Sequence, residues 1–72
     1  METKREKFIR LAEKRMQNTL HQIDLLANLS NKQQYSYTEE DVSKMLKALK
    51  EAVSNVEHSF KRNGVVRKFS LR

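Results

Sequence analysis

The stretch NLSNKQQYSYTEED, residues 28–41, places two tyrosines, Tyr35 and Tyr37, in the most polar part of the chain. A helix that begins directly after Thr38 explains their position. Thr38 is then the capping residue: its hydroxyl accepts a hydrogen bond from the backbone N–H of Asp41, and the Asp41 carboxylate bonds back to the cap. The stretch therefore predicts a turn followed by the start of a helix.

Tyr37 precedes this cap, and Val42 is the fourth residue of the predicted helix. This spacing predicts a hydrophobic staple, in which the two side chains pack and set the direction in which the chain joins the helix. Tyr35 lies two residues back in an extended segment, so it points to the same side and is expected to cover the end of a core. The functional alternative is an aromatic pair that stacks on nucleic-acid bases.

Apolar residues recur three and four positions apart on both sides of the stretch, which predicts helices over about 4–29 and about 39–62 and a turn over 30–38. Each set falls in an arc about 120° wide. In the first helix the set is Phe8, Ile9, Ala12, Met16, Leu20, Ile23, Leu26 and Ala27. In the second helix it is Val42, Met45, Leu46, Leu49, Ala52, Val53, Val56 and Phe60.

The predicted fold is all-α: an antiparallel two-helix hairpin over residues 1–63, followed by a short basic tail over 64–72. Leu11, Leu25 and Leu29 form a second, narrower apolar strip beside the main stripe of the first helix. A small scaffold without disulfides or metal usually needs a partner to complete its core. We therefore expect a homodimer in which two hairpins form a four-helix bundle and cover this strip. The alternative is a monomer closed by the tail or by a partner protein.

The net charge of +6 is concentrated at the C-terminal end. Residues 1–30 carry six basic and four acidic groups (+2), residues 31–57 four and five (−1), and residues 58–72 five basic groups and no acid (+5). Such a tail, with Arg67, Lys68 and Arg72, is typical of contact with nucleic acid or an anionic surface, or of a solvated chain end.

A basic row on the first helix, Lys7, Arg10 and Lys14 with His21 beyond, faces away from the apolar arc and has the spacing to follow a phosphate backbone. Glu6, Glu13 and Asp24 flank this row and reduce its field, as expected of a solvated helix face. The predicted connection is too long for a helix-turn-helix motif.

The sequence shows no residue pattern typical of catalysis, of metal or cofactor binding, or of a membrane protein. The chain has 72 residues, no cysteine and one glycine, so thiolate metal sites, a cysteine nucleophile and a Gly-rich phosphate loop are excluded. His21 and His58 lie on polar faces without ordered acidic neighbours, so we predict no catalytic residues, no metal site and no cofactor. No apolar run spans a bilayer and no secretion signal is visible, which predicts a cytoplasmic protein that does not bind membranes.

The segments KFIRLAEKR, LLANLSN, YSYTEEDV and KALK resemble a group of small bacterial helical-hairpin proteins, common in low-GC Gram-positive bacteria and their mobile elements, that have no established biochemical role. The resemblance covers about residues 7–60 and implies a bacterial, intracellular accessory protein. Residues that match the turn of the group are Asn28, Leu29, Ser30, Asn31, Tyr35, Tyr37 and Thr38. Ala27 stands where the group has glycine, which predicts a slightly longer first helix.

The sequence thus predicts a non-enzymatic binding protein. The leading hypothesis is a homodimer that binds nucleic acid without strong sequence readout, through the basic row and the tail. The alternative is a protein-interaction or regulatory module, such as an inhibitor or assembly adaptor, that presents its second apolar strip or its tail. Convergence of the basic residues on one face favours the first hypothesis, and an exposed leucine strip favours the second.

Overall fold

The computed structural model describes residues 1–63, and all of its regular secondary structure there is helical. Helix α1 spans Lys4–Asn28 and helix α2 spans Glu39–Arg62. Since residues 1–63 contain no strand, the predicted all-α class with two helices is confirmed. The predicted basic tail, 64–72, lies outside the described residues.

The chain divides into two units, Met1–Ser36 with α1 and Tyr37–Arg72 with α2. The boundary falls between the two tyrosines, so that Tyr35 belongs to the unit of α1 and Tyr37 to the unit of α2. The two units are described separately below.

Helix α1 begins with a capping box that the sequence analysis did not identify. The Thr3 hydroxyl accepts a hydrogen bond from the Glu6 backbone N–H at 3.0 Å, and a Glu6 carboxylate oxygen accepts one from the Thr3 N–H at 2.9 Å. These bonds satisfy two backbone donors that a helix start leaves without a partner. The signal was present as Thr-x-x-Glu over residues 3–6.

Helix α1 ends at Asn28, one residue before the predicted end, and Leu29 is its C-terminal cap. The N–H of Leu29 bonds to the carbonyl of Leu26, and the N–H of Ser30 bonds to the carbonyl of Ala27, each at 3.0 Å. These three-residue spacings tighten the last turn and end the α-helical pattern.

Asn31 organises the connection between the helices. Its side-chain oxygen accepts from the N–H of Gln33 at 2.9 Å, and its carbonyl accepts from the N–H groups of Gln34 and Tyr35 at 3.1 and 3.0 Å. Asparagine competes in this way with helical backbone bonding and favours turns. The connection therefore contains a turn over residues 32–34, and it reaches α2 through Thr38, whose backbone is extended.

Helix α2 begins with both hydrogen bonds of the predicted capping box. Thr38 Oγ1 accepts from the Asp41 N–H at 3.0 Å, and Asp41 Oδ2 accepts from the Thr38 N–H at 2.9 Å. Tyr37 and Val42 are both half-buried, as the staple geometry requires. The aspartate therefore completes the box, although glutamate is the commoner residue at that position.

The end of α2 is held by side chains of its last turn. Asn63 is the C-terminal cap, and its side-chain amide donates to the Ser59 carbonyl at 2.8 Å. Lys61 and Arg62 lie in the last turn, where positive charge interacts favourably with the helix dipole. Lys61 also pairs with Glu57 at 3.6 Å, with the acidic residue on the N-terminal side as the more stabilising orientation requires.

None of residues 1–63 is buried. Large apolar side chains are exposed along both helices, from 37% for Leu26 to 67% for Val53. Helix stability in proteins comes mainly from packing of an apolar face, and short isolated helices are marginal in water. The described single chain therefore has well-formed helix starts but no core.

Replacing Thr38 with alanine is expected to destabilise α2 by roughly 0.5–2 kcal/mol, because the Asp41 N–H loses its acceptor. Urea unfolding followed by circular dichroism measures the change. Thr38→Ser is the matched control: it retains the hydroxyl and should remain close to the unmodified chain. Equal stability of Thr38→Ala and the unmodified chain would show that the cap contributes nothing.

Candidate interaction surfaces

The apolar face of α2 is the most uniform surface of the described chain. Its members lie in an arc about 120° wide that contains no charged residue. Most of them remain accessible to water, with Val53 and Val56 67% and 57% exposed, while Val42 and Leu49 are half-buried. A face that is apolar throughout and uncovered is a surface suited to packing against another helix.

The apolar face of α1 is less uniform. Thr19 lies within its arc, and Arg5 lies in the same arc near the N-terminal end. The Arg5 guanidinium is 5.9 Å from the centroid of the Phe8 ring, which is the geometry of a cation–π contact. Phe8 and Met16 are nevertheless about half exposed. Helix α1 therefore presents an apolar face that is interrupted at its N-terminal end.

The second apolar strip of α1, Leu11, Leu25 and Leu29, is only partly accessible. Leu25 and Leu29 are exposed at 45% and 41%, and Leu11 is half-buried. The three leucines lie within an arc about 40° wide on one side of the main face. The strip is consistent with an additional contact surface, although it is smaller than the face of α2.

The basic row of α1 lies within an arc about 60° wide on the side opposite the apolar face. One member, Arg10, is already bonded to an acid. Arg10 Nε donates to Glu2 Oε2 at 2.8 Å and Arg10 Nη2 donates to Glu2 Oε1 at 3.1 Å. This two-bond contact raises the pKa of Arg10, because hydrogen bonding to the carboxylate stabilises the charged guanidinium. Phosphate must compete with Glu2 for this side chain.

Lys7 and Lys14 make no ion pair within residues 1–63 and keep their charge available on the same face as Arg10. Arg67, Lys68 and Arg72, the tail residues predicted to bind nucleic acid, lie outside the described residues. The described part of the predicted nucleic-acid surface is therefore two lysines and one charged arginine that is paired with Glu2. Sequence reasoning missed the contact of Glu2 because the two residues are eight positions apart.

The tyrosines of the connection have different surroundings. Tyr37 and Val42 are half-buried at the start of α2, whereas Thr38 and Asp41 are exposed and bonded to each other as its capping box. Tyr35 is 46% exposed. The expectation that Tyr35 covers the end of a core stays a prediction.

The described range offers no constellation for metal binding, since no group of three or more His, Cys, Asp or Glu side chains within it is arranged to hold an ion. Neither α1 nor α2 is long and apolar enough to cross a membrane. Comparison with protein-family models, curated proteins and solved structures finds no match for this chain. Its exposed surfaces therefore provide the argument about function.

We expect the Arg10 Nε proton to exchange with water more slowly than that of Arg15, because it is bonded to the Glu2 carboxylate. Proton exchange measured by NMR tests this. Glu2→Gln removes the charged acceptor and should bring the two rates together. About 1 M salt should also bring the Arg10 and Arg15 exchange rates together, because the electrostatic screening length then falls to about 3 Å. Equal rates in the unmodified chain at low salt would contradict the Glu2–Arg10 contact.

Proposed function

We propose that this chain is a small non-enzymatic interaction module that acts by packing its apolar helix faces against protein, including a second copy of itself. The observation that carries the proposal is the uncharged and uncovered face of α2. Burying the accessible part of each half-exposed large side chain contributes on the order of 1 kcal/mol. Five such residues in each of two copies (Met45, Leu46, Val53, Val56 and Phe60) provide a driving force comparable to the cost of association.

In the proposed assembly, α1 and α2 of each chain pair as an antiparallel hairpin and two hairpins form a four-helix bundle. The strip Leu11, Leu25 and Leu29 then contacts a neighbouring helix. A bundle covers about one third of each helix surface, which matches the width of the apolar arcs. The resemblance to small bacterial hairpin proteins is in keeping with an accessory role, such as an inhibitor or assembly adaptor in the bacterial cytoplasm.

Binding of nucleic acid is a second candidate function. It is supported by Lys7 and Lys14, which lie on one face of α1 and are free of acidic partners within residues 1–63. The sequence adds the basic residues of 64–72 and a net charge of +6. Binding through this surface relies on phosphate contacts and has little sequence preference.

Self-association is expected to give a species of about 17 kDa by light scattering, twice the 8.6 kDa of one chain. Val53→Asp should shift the mass to that of one chain, because a charge then lies at the centre of the apolar face of α2 and is costly to bury. Lys47→Asp is the matched control: it introduces the same residue on the polar face and should leave the mass unchanged.

Leu25→Asp extends the same measurement to the second strip of α1. If this strip is an interface, the variant weakens the assembly; an unchanged mass assigns the interface to the main faces alone. A mass of one chain for the unmodified protein at every concentration would contradict self-association.

Nucleic-acid binding is expected to weaken steeply with salt, with log K falling linearly against log salt concentration. Replacing Arg67, Lys68 and Arg72 together with alanine should lower this slope by up to about 3, because each phosphate contact contributes about 0.9 to it. Titration of a random-sequence duplex at several salt concentrations measures the slope. Lys44→Ala, Lys47→Ala and Lys50→Ala together remove the same charge from α2 and serve as the control.

A further inference from the structure

We propose that the apolar face of α2 is covered by α2 of a second copy, in antiparallel orientation. This inference rests on the proposed self-association and adds which helix meets which, and in what direction. It is argued from the spacing and size of the apolar residues and from the charges at the two ends of the helix.

The apolar face of α2 contains a regular seven-residue repeat. Leu46, Val53 and Phe60 recur seven residues apart and form one row, which we call row 1. Val42, Leu49 and Val56 form the second, called row 2. Two apolar rows with this repeat are the pattern by which helices pair side by side over their length. All six residues lie within Glu39–Arg62, so the rows extend over nearly all of α2.

Antiparallel pairing places each residue of row 1 opposite one of row 2 in the second copy. With the two-fold axis near residue 51, every layer then combines one larger side chain with one valine. The three distinct layers are Leu46 with Val56, Leu49 with Val53, and Phe60 with Val42. Facing large and small residues fill a helix interface evenly.

Parallel pairing in register would instead place each residue opposite its own copy. The Phe60 layer would contain two phenylalanines, and the Val42, Val53 and Val56 layers would each contain two valines. Two phenylalanines overfill the Phe60 layer, and two valines leave each valine layer underfilled. Both overpacking and unfilled space are unfavourable in a close-packed interface. Residue size therefore favours the antiparallel direction.

The end charges of α2 favour the same direction. Its first turn carries Glu39, Glu40 and Asp41, and its last turn carries Lys61 and Arg62. Antiparallel pairing brings the acidic end of one copy beside the basic end of the other, and it also opposes the two helix dipoles. Parallel pairing would place three acids beside three acids.

One local charge opposes the arrangement. Lys50 lies near the two-fold axis and faces Lys50 of the second copy. Lys50 is exposed, so its long side chain can extend into water. A like-charge contact of this kind between exposed side chains is only weakly unfavourable, because water and salt screen it.

Disulfide trapping tests the direction directly, and the chain has no cysteine of its own. Leu46→Cys and Val56→Cys are prepared separately, mixed in equal amounts and oxidised in a glutathione buffer. The antiparallel dimer predicts a mixed 46–56 disulfide in about tenfold excess over either disulfide between identical variants, because only the mixed pair lies in one layer. Non-reducing electrophoresis and mass spectrometry measure the ratio.

Two controls make the test decisive. Lys47→Cys lies on the polar face and should give no preferred product with either variant. Leu49→Cys mixed with Val53→Cys probes the adjacent layer. This pair is used instead if Leu46→Cys or Val56→Cys no longer has the mass of a dimer.

The mass of the unmodified chain separates the possible failures. A dimer that gives disulfides mainly between identical variants, or none in either layer, overturns the antiparallel α2 pairing and leaves the proposed self-association intact. A monomeric mass overturns both proposals. Predominant mixed disulfides in a dimer support the inference.

Discussion

The removal of the apolar faces from water is the interaction on which the rest of this protein depends. Helices of 25 and 24 residues are formed, yet none of residues 1–63 is buried. Capping boxes, turns and exposed ion pairs direct where each helix begins and ends, but each contributes little stability on its own. In the proposed assembly a partner surface covers these faces, and the residues on them define what that surface must be.

The two helices differ in how strictly they restrict a partner. The face of α2 has uniform chemistry, a regular seven-residue repeat and charges of opposite sign at its ends. The face of α1 includes Thr19 and is interrupted near Arg5, which contacts Phe8. A less regular face accepts more than one neighbour, whereas a regular one specifies direction and register. This contrast is why we assign self-recognition to α2.

Much of the local structure could be predicted because its causes are close in sequence. The Thr38–Asp41 box needs residues three apart, and the apolar stripes need only a period of 3.6. The Thr3–Glu6 box follows the same rule and was overlooked. The Glu2–Arg10 contact spans eight residues from an extended terminus into a helix, and no short-range rule determines it. Helix α1 ends one residue before the predicted position, since the three-residue bonds of Leu29 and Ser30 replace α-helical bonding there and the apolar period does not determine them.

The proposed functions are compatible where the main apolar face of α1 is the buried one, because the basic row lies opposite that face and leaves Lys7 and Lys14 at the surface. The strip Leu11, Leu25 and Leu29 borders the row, since Lys7 and Leu25 share one angular position on α1. Dimerisation would then duplicate the row, and two linked sites bind an extended polyanion more tightly than one. Apolar packing persists at high salt, whereas phosphate binding weakens. Assembly would therefore survive conditions that release nucleic acid, while loss of assembly would weaken nucleic-acid binding even with every basic residue in place.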